Sequence, residues 1–204
     1  MNRIILVGGF HEIIELAEEN SIQIAGIIDN SLKGTYRGYE IISNDENAGN
    51  LPDFYRSVPL IITPDKPLTR KVLYDYYSKL GFSFTSLISN KSFISESSKV
   101  NIGSVIQKGV NISSEAVIGK FVKLNSLCNV MHDSVVDDFT TVAPNAVILG
   151  KVRIGKHCYI GSNATILPGI SICNNVTVGA GAVVTKDIST GGIYLGAPAR
   201  LLIK

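Results

Sequence analysis

His132 and Asp133 stand side by side in the stretch SLCNVMHDSVVDD, among small and β-branched residues. One of only three histidines in the chain, followed at once by a carboxylate, is either a polar accident of a surface or the chemistry of the protein. An imidazole, with an ordinary pKa of about 6.5, accepts a proton near neutrality. A neighbouring carboxylate can fix its tautomer and stabilise the imidazolium that forms. The pair is suited to general-base catalysis, removing a proton from a nucleophile as it attacks, and loss of such a base costs about 10² to 10⁴ in rate.

The elements around the pair must position it. From Ile94 to Val184 every sixth residue is Ile, Leu or Val. If such residues made up roughly 30% of a chain, a run of this length would arise by chance on the order of once in 10⁸ registers, so the spacing is a structural repeat. Four residues after each of these positions the side chain is usually small or apolar, as at Ala116, Val122, Cys128, Ala146, Cys158 and Ala164. A period of six fits neither a helix nor simple alternation. It fits a short strand and a turn, three to a triangular coil, with coils stacked at about 4.8 Å so that each backbone pairs with its neighbours. The large aliphatic residue fills the inside of each face and the small one lies near a corner. The repeat runs without a break or an extruded loop. A solenoid must also close its ends, and DISTGGIYLGAPARLLIK, which leaves the period, is expected to fold over the last coil. Inside the repeat the inward residue is Val130, so His132 is expected at a turn, exposed to solvent and substrate.

The first 84 residues follow other rules. RIILVGG reads as a strand running into glycines, HEIIELAEEN as a short amphipathic helix and IQIAGIIDN as a second strand ending at Asp29. YEIIS and VPLIITP follow as strands, and LTRKVLYDYYSKLGF as a helix closed by Gly81. Such an order suggests a small parallel sheet with ligand sites beyond the carboxyl ends of its strands. The glycines lack the GxGxxG fingerprint, since the chain has GGFHEI, which removes the nicotinamide reading. What remains is a glycine turn at a helix N-terminus, suited to an anion such as a phosphate, or a tight turn alone. Gly8, Gly9, Phe10 and His11, with Asp29 and Asn30, are the candidate substrate-binding residues. Asp29 either accepts hydroxyl groups of a nucleoside or caps a turn.

Composition narrows the partners. With 45% hydrophobic residues the chain can build a core. Its 19 basic and 17 acidic residues leave a net charge of +2 without a basic track, so nucleic acid is not expected. No apolar run approaches the roughly 20 residues of a membrane span, and no cleavage-site pattern follows the N-terminus; a cytoplasmic protein is expected. Cys128, Cys158 and Cys173 form no CxxC pair, which speaks against a thiolate zinc site or a disulfide framework.

Together, ILVGGFHEII, GIIDN, KLNSLCNVMHDSVVDDF, ILPGISICNNVTVGAGAVVTKDI and YLGAPAR resemble the PglD- and NeuD-type sugar acyltransferases of the hexapeptide-repeat family. The resemblance spans the whole chain, and LN…VxHD with the N-terminal segment is its most specific part. It implies a small α/β Rossmann-like domain over residues 1–84 and a left-handed parallel β-helix with a capping tail over residues 85–204. It also implies a homotrimer with acetyl-CoA between adjacent prisms, and an acetyl transfer to the amino group, at C4, of a nucleotide-linked amino sugar. His132 would then be the base and Asp133 its partner. Gly150, one coil beyond His132, would offer a backbone N–H to the thioester oxygen. Thr141, Ser162 and Ala180 would lie along the pantetheine, with Arg200 near a phosphate.

The chain departs from that pattern in two places. Thr141 stands where the family has a second histidine, and ITPDKPLTR replaces its usual glycine-containing turn. A sialic acid or sugar O-acetyltransferase is the nearest rival, and a non-catalytic trimeric scaffold the rival of another class. Zinc is not expected, because three histidines from neighbouring coils would be needed and His132 and His157 do not lie a whole number of coils apart.

Overall fold

The computed structural model describes residues 3–203. The N-terminal part comprises β1 (Arg3–Val7), α1 (His11–Glu19), β2 (Gln23–Ile28), β3 (Thr35–Tyr36), β4 (Tyr39–Ser43), α2 (Asp53–Arg56), β5 (Leu60–Ile62) and α3 (Pro67–Lys79). They form one sheet of order β3-β4-β2-β1-β5, parallel throughout except for the short β3-β4 pair. Alternation along a strand sends successive side chains to opposite faces. Ile4 and Leu6 therefore join Ile13, Ile14, Leu16 and Ala17 of α1 in one core, while Ile5 and Val7 join Tyr77 of α3 in another. Proline in its first turn starts α3, and Gly81 at φ 81° ends it. The sequence gives no strong signal for β3 or α2, which span only two and four residues.

Phe84 still bridges to Leu60 of that sheet, and Leu87–Ile88 already pairs with Val105–Ile106 of the repeat. From there two-residue strands recur every six residues and pair in parallel with the strand eighteen residues on, as in Asn111↔Asn129↔Val147. Three faces result, of six, five and eight strands. The repeat thus starts at Ile88, one unit earlier than expected. Ile88 and Ile94 are 37% and 36% exposed because the first coil has nothing stacked below it, whereas Leu124, Val130, Val142 and Ile148 are fully buried. Each such burial stabilises by about 1.5–3 kcal/mol.

From Gly103 to Gly181 the corners turn through left-handed residues. Glu115, Phe121, Leu127, Asp133, Phe139, Asn145, Lys151, His157, Asn163 and Asn175 all have φ between 53° and 65°. Such a conformation costs a side-chain-bearing residue about 1–2 kcal/mol, which the coil-to-coil ladder offsets. Where the small inward position is polar, its hydroxyl is bonded to backbone. Ser104, Ser134 and Thr140 donate to Gly119 O, Leu149 O and Gly155 O at 2.8–2.9 Å.

The tail closes the far end as expected. Gly192–Leu195 adds a parallel strand to the third face, and Ala199 N donates to Val183 O of the first. The two parts share their cores. Phe121 and Phe139 belong to the cluster of β1, β2 and β5, Leu87 and Val105 belong to that of α1, and the Tyr74 ring of α3 lies 4.6 Å from that of Phe121.

Candidate active site

His132 occupies the corner between Asn129–Val130 of the first face and Val135–Val136 of the second. The left-handed turn at Asp133 brings its carboxylate back against the imidazole, with Oδ2 2.8 Å from Nδ1, and both side chains are about half exposed. Asp133 N donates to Ser114 O on the coil below, and Lys151 N on the coil above donates to His132 O. The pair is anchored by its backbone and free at its side chains, as its position in the repeat leads one to expect. An aspartate acceptor at Nδ1 leaves the Nε2 lone pair outward, the arrangement a general base needs.

Gly150 lies directly above the imidazole. A Cβ there would come within 2.6 Å of Nε2 and 2.7 Å of Cε1, so only glycine leaves the ring its place. Of the N–H groups at the equivalent position of other corners, those of Lys120, Ser126 and Lys156 are taken by Asp138, Gln107 and Asn174 side chains, while those of Ser114 and His132, below Gly150 on its own edge, have no acceptor among the described residues. That of Gly150 has no acceptor among the described residues. Beside the two lies an open hollow of about 510 Å³ bordered by Met131, Leu149, Lys151, Pro168 and Gly169.

The other candidate residues fall elsewhere. Ser162 and Ala180 stack on each other at the edge between the third and first faces, a different edge from that of His132. Arg200 is exposed in the terminal hairpin and bonds only to Ala199 O. Thr141 requires a correction. It is fully buried, and its hydroxyl donates to Asp65 O at 2.6 Å, because the third face is covered by the loop before α3. Its side chain therefore offers no surface to a ligand.

Gly8, Gly9, Phe10 and Asp29 do come together, around a cavity of about 170 Å³ with Thr63, Pro64, Asp65 and Lys123. Gly8 is at φ 96°, with Thr63 Oγ1 where its Cβ would be. The Asp29 carboxylate serves the loop itself: Oδ2 accepts from Gly9 N, and Oδ1 from Ser31 N and Leu32 N, all at 2.8–2.9 Å. Burial opposes its charge, but these three donors outweigh burial and hold its pKa below the ordinary value. The turn-capping alternative thus describes Asp29. Asn30 exchanges hydrogen bonds with Asp45 on the other side of this loop. His11 instead borders a groove between α1 and the prism, with Glu12, Gln107 and Ser126.

Three residues near these sites carried no signal in the sequence. Lys123 projects from the third face into the floor of the glycine cavity, its side chain 1% exposed, and pairs with Asp65 at 2.8 Å. Arg70 is buried between α3 and the prism. His157 stacks on Phe139 with ring centroids 5.5 Å apart, continuing a column from Phe121, and its buried Nδ1 has no partner among the described residues. The hollow beside His132 and the two cavities at the glycine loop share no bordering residue.

Comparison with known proteins places this geometry. A model for the hexapeptide repeat of succinyl-transferase matches residues 151–186. A UDP-3-O-acylglucosamine N-acyltransferase of Delftia acidovorans is 30% identical over 48% of this chain and 31% of its own length. The chain thus spans about a third of the curated relatives it matches first. The acetyltransferase domain of PglB from Neisseria gonorrhoeae, solved with acetyl coenzyme A, is 26% identical with a TM-score of 0.91 over 99% of this chain and all of the other. PerB from Caulobacter crescentus, solved with CoA and GDP-perosamine, is 25% identical with the same TM-score over 98% and 96%. Residues 151–186 thus match a hexapeptide repeat, and over its whole described length the chain resembles PglB's acetyltransferase domain and PerB.

Proposed function

We propose that this protein transfers an acetyl group from acetyl-CoA to the amino group, at C4 of the sugar, of a nucleotide-linked amino sugar. The observation that carries the reading is the His132–Asp133 pair set directly under the unoccupied N–H of Gly150. Acetyl-CoA supplies the activated acyl group as its thioester. His132 Nε2 takes the proton of the amine as the nitrogen attacks, Asp133 holds the imidazole and balances its charge, and Gly150 N–H donates to the oxygen on which charge develops. The imidazolium returns its proton to the departing thiolate, so CoA leaves as the free thiol. PglB and PerB, bound to acetyl-CoA or to CoA with GDP-perosamine, support this choice of substrates.

In this reading residues 1–84 form a Rossmann-like domain that seats the nucleotide at Gly8 and Gly9. Residues 85–204 wind as a left-handed β-helix. Because His132 and Gly150 stand on one edge while Ser162, Ala180 and the glycine loop lie elsewhere, the site is completed by a second copy in a homotrimer. Its acetyl-CoA lies between prisms, along Ser162 and Ala180 and toward Arg200. The protein works in the cytoplasm, where acetyl-CoA is available; no described helix is long and apolar enough to cross a membrane.

A thiol-release assay with acetyl-CoA and UDP-, dTDP- and GDP-linked amino sugars tests the reading. Release with an amino sugar, reduced about 10² to 10⁴-fold in His132→Ala, is the expected result. No release with any acceptor would leave a scaffold, release only with sialic acid would make the acceptor a hydroxyl, and near-normal turnover in His132→Ala would remove the imidazole from the mechanism.

A further inference from the structure

The segment ITPDKPLTR holds the most heavily bonded side chain of the interface between the two parts. Arg70 is 1% exposed and meets no carboxylate there. Its five N–H groups find five backbone carbonyls: Nε donates to Phe121 O (3.0 Å), Nη1 to Pro64 O and Asp65 O (both 2.8 Å), and Nη2 to Phe139 O (2.7 Å) and Thr140 O (3.1 Å). That is every donor a guanidinium has. Two of the carbonyls belong to the loop before α3 and three to corners of the prism. The same loop is held to the third face by Lys123, which donates to Thr63 O at 2.9 Å and pairs with Asp65, and by the Thr141 hydroxyl on Asp65 O. From the loop, Thr63 Oγ1 reaches on to Val7 O and Gly8 O, both at 2.9 Å.

We infer that Arg70 is a positioning residue, which through the loop of residues 63–65 fixes the wall of the Gly8–Gly9 cavity against the prism, so that the nucleotide end of the substrate meets a preset seat. This rests on the reading of that cavity as the nucleotide site. A charge buried without a carboxylate is a poor source of stability, since apolar residues of similar volume often serve as well. What five fixed donors supply is geometry. Burial lowers the guanidinium to about 10, against the pull of Asp65, so it stays charged at neutral pH. Lysine at this position would keep the charge but has only three donors and no planar fork.

Arg70→Lys and Thr141→Val test the assignment in the full-length protein, the second variant being near-isosteric and serving where the first does not fold. Hydrogen exchange is read first, without substrate, at Gly8 N and Thr63 N, which donate to Ile28 O and Val7 O. In Arg70→Lys both amides exchange about tenfold faster, the effect of one or two lost hydrogen bonds, while inward strands such as Val147–Ile148 are unchanged. KM for the sugar nucleotide rises by about the same factor, with kcat and KM for acetyl-CoA within about threefold of the wild type. Thr141→Val shifts the same quantities in the same direction by less. Unchanged or uniformly faster exchange would overturn the lock. Faster exchange at the two amides without a rise in KM for the nucleotide sugar would leave a lock but show that this cavity does not seat the nucleotide. A rise in KM for acetyl-CoA in Thr141→Val would return that residue to the cofactor path and overturn its place in the lock.

Discussion

Replacing Gly150 with alanine tests the geometry of the proposed catalytic pair without removing any of its groups. The backbone at Gly150 lies outside the left-handed region, and alanine keeps the N–H, so neither strain nor a lost donor enters. The added Cβ would sit 2.6 Å from His132 Nε2, where ordinary van der Waals contact begins at about 3.4 Å. The imidazole must move by about 0.8 Å or rotate off Asp133, and a misplacement of about 1 Å can cost about 10²-fold in rate. We expect kcat in the thiol-release assay to fall about 10²-fold, with both KM values within about threefold and the thermal midpoint little changed. The decisive control is the double variant. In a His132→Ala background there is no ring to displace, so the alanine should cost almost nothing further, a strongly non-additive pair. A Gly150→Ala enzyme within threefold of wild-type kcat, or one whose loss adds in full to that of His132→Ala, would refute the idea that the glycine exists to admit the imidazole.

Two further outcomes follow from the prism and its aromatic column. Ser134→Ala removes the inward hydroxyl that donates to Leu149 O at 2.8 Å and accepts from Val152 N at 3.2 Å, at the corner carrying His132. Leaving those buried groups unpaired should cost about 1–3 kcal/mol in a denaturant titration, and an unchanged midpoint would show that water replaces the hydroxyl. His157→Phe should flatten the acid side of the stability profile. Burial, then the cations Lys71 and Lys156, hold the His157 pKa below its ordinary value against the opposing pull of Asp138. The folded site therefore binds a proton less readily than the unfolded chain. Its contribution to stability is complete above about pH 6.5 and is lost as pH falls through the lowered value. The drop in urea midpoint between pH 7.5 and pH 5 should be smaller in the variant, and an equal drop would show that His157 is not the group responsible.

How much of this was legible in the residues depends on the range of the interactions involved. The prism could be read almost whole, because its period is local: the same inward aliphatic recurs every sixth residue, and one coil is always eighteen residues. His132 at a corner followed from that register, and so did Gly150 above it. The α/β elements were legible for the same reason, since long apolar strands and an amphipathic helix declare themselves, while the two-residue β3 and the four-residue α2 do not. The docking of the two parts was not legible. Nothing distinguishes Lys123 from a solvated lysine on an outward column, or Arg70 from an exposed helical arginine, until the third face is known to be covered. The same covering moved Thr141 from the expected ligand path into the interior. For Asp29 the sequence leaves two partners open, because a carboxylate at a strand end can meet either a hydroxyl or its own loop, and in the structure three backbone N–H groups of the loop reach it.

A solenoid makes its edges alike, and a site needs one edge to differ from the others. In the column that carries the pair, Ser114 lies one coil below His132 and Gly150 and Pro168 follow one and two coils above, so a large ring is followed by a residue with no side chain and then by one with no N–H. Elsewhere the stacked corners fill their own space. Phe121, Phe139 and His157 pack ring on ring at 5.3 and 5.5 Å, and Asp138 and Asn174 occupy the N–H groups of the coils below them. At Gly150 the stack is interrupted, and the His132 imidazole stands beside a backbone donor with no acceptor among the described residues. In the proposed mechanism the reaction depends on an absence placed one coil above a base, and filling that absence with a single methyl group should abolish most of the rate while leaving the prism intact.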